Sequence, residues 1–187
     1  MLDLWVSAFL WTVILIALTV SVVTDLKDRI VPNELVLFVA INGMSLTLLS
    51  RPELIWLNIL LAVLVLFGFG IFARFGMVGW GDVKLVSAVT MFIRPDRLGL
   101  VLIEIAIAGG VLSGVYLAAY HTLRNSRVYQ TRSAVITAPT GAVNRFLRNE
   151  RARILAADSV PYALAIFVGV GWYLAVEFHQ CYAATFC

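Results

Sequence analysis

The sequence predicts an all-α, polytopic membrane protein with about six transmembrane helices. Three observations predict it. The 187 residues are 61% hydrophobic and 13% charged, where a soluble domain runs at about 45–50% and about 25%. A mean hydropathy of +0.95 marks more apolar surface than a soluble core of this length can hide. The charges also cluster between long uncharged runs, each of which must satisfy its own backbone as helix in lipid. A soluble enzyme, a disordered tail and a disulfide framework are excluded together.

The elements follow in order, counting about 20 mostly apolar residues per spanning helix. Leu4–Thr24 carries no charge and ends on Asp25-Leu26-Lys27-Asp28-Arg29. It lacks a basic start and is long for a signal peptide, so it reads as a retained helix. Leu35–Ser50 is second, closed by Arg51-Pro52-Glu53. Leu54–Ala73 is third and runs into Gly76-Met77-Val78-Gly79-Trp80-Gly81-Asp82. Leu85–Ile93 is a short fourth, about 14 Å of helix against a hydrocarbon core of about 30 Å. Leu98–Tyr120 is fifth and carries one charge, Glu104. Residues 121–158 are polar and basic. Ser159–Val176 is sixth, with Pro161 placed for a first helical turn.

Orientation follows from Lys and Arg in the loops. With the N-terminus outside, the inner loops hold Lys27, Arg29, Arg74, Lys84 and the arginines from Arg124 to Arg153, and the outer loops hold Arg51, Arg94 and Arg97. Both termini then lie outside. This asymmetry accounts for the net charge of +3 without a nucleic-acid partner. Arg145, Arg148, Arg151 and Arg153 suit either a surface helix on anionic headgroups or a solvated loop. Trp5, Trp56, Trp172 and Tyr173 suit interfacial anchoring. Gly110 and Gly114 suit small-residue helix packing within the chain.

Carboxylates near membrane helices are costly, and Asp25, Asp82 and Glu104 stand out. Asp25 closes the first run and Asp82 opens the fourth, so topology brings both to the inner face. If Arg94 and Arg97 mark the outer surface, the short fourth helix starts inside the bilayer. Irregular backbone at that depth requires protein or a water-filled cavity beside it. Gly79 and Gly81 permit a tight turn and a close backbone approach. Substitution to Ala is expected to harm Gly81 most, Gly79 less, and Gly76, outside the motif, little. Two carboxylates at one cavity suit aspartic-protease chemistry, in which the pair shares one proton. The competing reading makes Asp82 a helix cap, and Asp28 competes with Asp25. Glu104 is expected to pair with Arg94 or Arg97. His121 and His179 fall on opposite sides of the membrane, which excludes a shared histidine dyad. Cys181 and Cys187 either pair in an oxidising compartment or are free thiols. No metal or organic cofactor is implied.

Three stretches carry a resemblance: Asp25 followed seven positions later by Pro32-Asn33, then Gly79-Trp80-Gly81-Asp82-Val83-Lys84-Leu85, then Val160-Pro161-Tyr162-Ala163. Together, over about residues 4–176, the chain resembles the type IV prepilin peptidases, membrane aspartic proteases of the GxGD class. The resemblance implies the GxGD aspartic protease fold and Asp25 with Asp82 as the catalytic pair. It implies Gly79 and Gly81 as the turn shaping the site, and Pro32, Asn33 and Lys84 as further motif positions. Pro32 is expected to set the start of the second helix, and Lys84 to anchor at the interface or hold the charge state of Asp82. A single peptidase domain over 1–187, with a basic cytoplasmic loop at about 121–158, is the implied organisation. The implied substrate is a prepilin of Flp/Tad type with a basic leader and an apolar helix, cut at the cytoplasmic face of a bacterial inner membrane.

The chain departs from the family's longer bifunctional members, which carry a cytoplasmic domain with paired cysteines. It fits the short, peptidase-only form. Val31 also stands between Ile30 and Pro32, where Ile-Pro is common. A small carboxylate-bearing transporter and a non-catalytic pilus-assembly protein remain the alternatives. Transport favours sites near the midplane. Presenilin-type proteases fit less well, since no Tyr-Asp partner motif or C-terminal Pro-Ala-Leu is present.

Overall fold

The computed structural model describes residues 2–76, 78–125, 150, 152 and 160–185. Among them are six α-helices: α1 (Leu2–Asp28), α2 (Asn33–Ser50), α3 (Ile55–Arg74), α4 (Trp80–Thr90), α5 (Pro95–Asn125) and α6 (Ala163–Thr185). A 3-10 turn over Pro52–Leu54 joins α2 to α3. No strand occurs among the described residues. Helices α1, α2, α3 (with its leading turn) and α5 are each long and apolar enough to cross a membrane. The protein is an all-α polytopic membrane protein.

The chain forms two compact units. Residues 1–109 with 161–187 make the first, and residues 110–160 make the second. In the second, the Tyr116 hydroxyl donates to the Glu150 carboxylate. Most of the basic 121–158 stretch, including its arginine series, lies outside the described residues, as do Cys187 and the Cys181 side chain.

The first unit is built around its shortest helix. On α4, Val83 and every residue from Leu85 to Thr90 are buried. Helices α2, α3 and α6 pack around it, and α1 packs on α2 and α6. The outer helices bury narrow stripes only. On α3 the buried residues are Asn58, Ala62, Val65, Gly70 and Ala73, while Leu60, Leu64, Phe67 and Ile71 stay exposed. Exposed apolar faces on every side of a packed stripe are what lipid solvates and water does not.

Polar side chains lock α4 in place. The Ser87 hydroxyl donates to the Ala62 carbonyl at 2.8 Å. At the other end of α4, the Met91 carbonyl accepts from the Thr47 hydroxyl at 2.7 Å and from the Asn58 amide at 3.1 Å. Carbonyls at a helix C-terminus lack intrahelical partners, and α2 and α3 supply them here. Gly43 of α2 leaves room for Phe92, whose ring would lie 2.8 Å from a Cβ at that glycine. Trp11 of α1 meets the same ring edge-on at 5.3 Å.

Several sequence expectations are corrected. The fourth segment is helical over Trp80–Thr90, not Leu85–Ile93, because its polar first turn belongs to the helix. Pro161 lies before α6 rather than in its first turn: the Tyr162 carbonyl accepts the Ala165 and Ile166 N–H groups, which opens the helix one residue later. Tyr173 is buried at 5% exposure and takes the Arg94 N–H on its hydroxyl, so it is no interfacial anchor. Trp5, Trp56 and Trp172 are exposed. Arg94 and Arg97 pair with Asp96, not with Glu104, whose Oε2 is buried without a hydrogen-bond partner among the described residues. Gly110 and Gly114 meet nothing among the described residues, whereas Gly109 and Gly169 make the close approaches.

Candidate active site

The end of the first unit where α1 stops and α2, α4 and α6 start collects the sequence-flagged residues. Helix α1 stops at Arg29, which takes a left-handed φ of 56°. Its N–H donates to the Asp25 carbonyl at 3.0 Å, a closure that glycine usually makes and an arginine makes at a conformational cost. The chain then extends through buried Val31 to Pro32, which occupies the N-cap of α2 at φ −60° and ψ 137°. Proline is locked near that φ, so Pro32 sets the start of α2.

Asp25 lies in the last turns of α1 at 6% exposure. Its Oδ2 accepts the backbone N–H of Ala163, the first residue of α6, at 3.0 Å. The first N–H groups of a helix have no internal partner and carry its positive end. Asp25 therefore caps α6 from a different helix. The Arg29 guanidinium also acts on Asp25 through its charge.

Asp82 is the third residue of α4 and is half-buried. The N-cap of that helix is Gly79, at φ −68° and ψ 138°, so Asp82 does not cap it. Its carboxylate folds back over Gly79: a Cβ there would stand 2.7 Å from Asp82 Oδ2. Asp25 and Asp82 lie within electrostatic reach of each other. Two facing carboxylates avoid mutual repulsion by holding one proton between them, which leaves one base and one acid side by side.

Gly81 faces the chain itself rather than open space. A Cβ there would lie 3.3 Å from the Val31 Cβ. The small residue thus lets the first turn of α4 rest on the α1–α2 connection, and it needs no positive φ. Lys84 Nζ donates to Asn33 Oδ1 at 3.0 Å and ties α4 to the start of α2. Asp28, one turn beyond Asp25, is exposed.

Three neighbours have no role that the sequence alone assigns. Ala163 contributes a backbone N–H, for which no residue type is a signal. Tyr162 belongs to the Pro-Tyr stretch, but its side chain had no assigned part. Gly109 becomes visible only because the Tyr162 ring lies against it. Among the described residues no group of three His, Cys, Asp or Glu is arranged to hold a metal.

Comparison with known proteins adds one finding. The model of the type IV leader peptidase family matches residues 12–115, a stretch that contains Asp25, Pro32, Asn33, Gly79, Gly81, Asp82 and Lys84. No curated protein and no solved structure gives a significant match.

Proposed function

The chain belongs to the type IV leader peptidase family, and on that premise we propose that it removes the leader from prepilin-type precursors, with Asp25 and Asp82 as its catalytic pair. The observation that carries this reading is the approach of Asp25, from the end of α1, to Asp82, at the start of α4, at one end of the helical unit. The Ala163 N–H and the charge of Arg29 act on the Asp25 carboxylate, and Gly79 leaves room for that of Asp82.

The hydrolysis divides between the two. The ionised carboxylate takes a proton from water as the water oxygen bonds to the scissile carbonyl carbon. The carbonyl π pair moves to oxygen, which takes the proton of the other carboxyl. The tetrahedral diol then collapses: one hydroxyl returns its proton to the ionised carboxylate as the C=O re-forms, the C–N bond breaks, and the amine nitrogen takes the proton of the protonated carboxyl, so the pair returns to its starting charge. No further nucleophile is required.

The substrate class fits the surroundings. A precursor with an apolar helix lies alongside α1–α5 in lipid, and its basic leader reaches the end of the unit where the carboxylates sit. The excess of Lys and Arg in the loops at that end supports a cytoplasmic site in the bacterial inner membrane. Flp/Tad-type pilins are the substrates proposed. The test is co-expression with an Flp-type prepilin, scored by leader loss on a gel. Processing by the native chain that is absent from both Asp25→Asn and Asp82→Asn is the expected result. Processing by either single variant overturns the pair.

A further inference from the structure

Tyr162 precedes α6 at the end of the unit where Asp25 and Asp82 lie, and the dyad mechanism does not use it. Its neighbour in sequence, Ala163, holds Asp25 through the backbone N–H at 3.0 Å. Its own carbonyl accepts from Ala165 at 3.0 Å and Ile166 at 3.2 Å, which fixes the backbone at the head of α6. Its ring lies in a notch of α5 at Gly109, where a Cβ would collide with Cε2 and stand 2.8 Å from the hydroxyl oxygen. Any larger residue at that position displaces the ring. The charge of Asp82 reaches the phenol.

The ring thus lies against α5 on a fixed backbone, yet the hydroxyl makes no hydrogen bond with any described residue. A phenol bound into a core ordinarily spends its O–H on a neighbour. This one is half-buried within reach of the Asp82 charge, and no described residue takes its donor. A phenol has an ordinary pKa of about 10, so it is a donor wherever a carboxylate is a base.

We propose that Tyr162 is a further catalytic residue, whose hydroxyl donates a hydrogen bond to the scissile carbonyl oxygen as that oxygen takes on negative charge. This rests on the Asp25–Asp82 reading above. In the addition step the new C–O bond forms, the carbonyl pair moves to oxygen, and the Tyr162 O–H points its dipole at that charge. The phenol proton stays on the phenol throughout, so the proton count of the dyad is unchanged. A donor already oriented by Gly109 and the α6 backbone does not reorganise during the reaction, which is where such stabilisation comes from.

The test measures kcat and KM of the purified full chain on a prepilin-type precursor in detergent. Tyr162→Phe keeps the ring in the Gly109 notch and removes only the donor. Its kcat is expected to fall about 10²–10³-fold, the usual loss for one oxyanion donor, with KM and thermal unfolding unchanged. Gly109→Ala, with the tyrosine intact but displaced, is expected to lower kcat as well. Native kcat in Tyr162→Phe alongside a loss in Gly109→Ala overturns the proposal and leaves the tyrosine a packing residue. Asp82→Asn runs in parallel. Activity in that variant sinks the dyad reading itself, whereas a dead Asp82→Asn with a fully active Tyr162→Phe sinks only the tyrosine.

Discussion

The Asp25 carboxylate binds the Ala163 backbone N–H at 3.0 Å, across 138 positions of sequence. One side chain thereby joins the end of α1 to the beginning of α6. The bond also separates two kinds of substitution at Asp25. Asp25→Asn keeps an oxygen that accepts from Ala163 and removes only the ionisable group. It is expected to leave thermal unfolding close to native while abolishing leader removal. Asp25→Ala also orphans the buried N–H, at a cost of about 1–3 kcal/mol, and is expected to unfold measurably earlier. Equal stability of the two variants would show that the Ala163 bond contributes nothing.

The glycines of the motif separate by what lies over them. At Gly79 a methyl group stands 2.7 Å from Asp82 Oδ2, so the carboxylate itself must move. Displacement of a reacting group by about 1 Å costs about 10²-fold in rate. At Gly81 the contact is 3.3 Å to Val31, which yields by a few tenths of an ångström at most. Gly79→Ala is therefore expected to lose more processing per folded enzyme than Gly81→Ala, the reverse of the order expected from the sequence. Gly76 is no neutral control, because its φ of +73° strains any alanine. Gly99, with nothing within 4 Å, serves instead. Equal losses at Gly79 and Gly99 would detach the motif from the chemistry.

The far end of α4 predicts a coupling. The Met91 carbonyl takes donors from both Thr47 and Asn58. Thr47→Val or Asn58→Leu alone leaves one donor in place, and each is expected to cost about 1 kcal/mol, in the range for hydrogen bonds between membrane helices. The double variant leaves a buried carbonyl with neither side-chain donor and is expected to lose more than the sum of the two. A double-mutant cycle by thermal unfolding in detergent measures this. Strict additivity would mean that the two side chains act independently.

Orientation is checked by labelling a chain whose two cysteines are replaced by serine. Exposed Glu53 lies between α2 and α3, and exposed Glu34 lies at the start of α2. A cysteine at position 53 is expected to react with an impermeant reagent from outside. A cysteine at position 34 is expected to react only once the inner face is opened, as the bias of Lys and Arg requires. The opposite pattern would put the carboxylates on the wrong side for a cytoplasmic leader.

The Asn33–Lys84 bond is exposed at 3.0 Å, and exposed polar pairs contribute little. Asn33→Ala and Lys84→Met are each expected to shift unfolding by less than about 1 kcal/mol. Their effect on processing should be small beside that of Asp82→Asn. A dead Lys84→Met with native stability would give the lysine a direct part in the chemistry.

The sequence by itself determined the solvent and the helical class, and it drew attention to Asp25 and Asp82. Runs such as Leu4–Thr24 admit one backbone solution in lipid, and a charge within reach of such a run is too costly to be incidental. Motif spacing also singled out Pro32, Gly79 and Gly81. Only the tertiary structure decided what those residues touch. Gly81 rests on Val31, Gly79 lies under the Asp82 carboxylate, and Tyr162 fills a notch at Gly109. Arg94 and Arg97 choose Asp96, one or two positions away, over Glu104. Periodicity reports which stretches prefer lipid, because that preference is a property of each residue. A contact between α1 and α6, such as Asp25 with the Ala163 N–H, depends on how the helices pack, and a backbone N–H is common to every residue but proline, so nothing in the linear sequence could mark it.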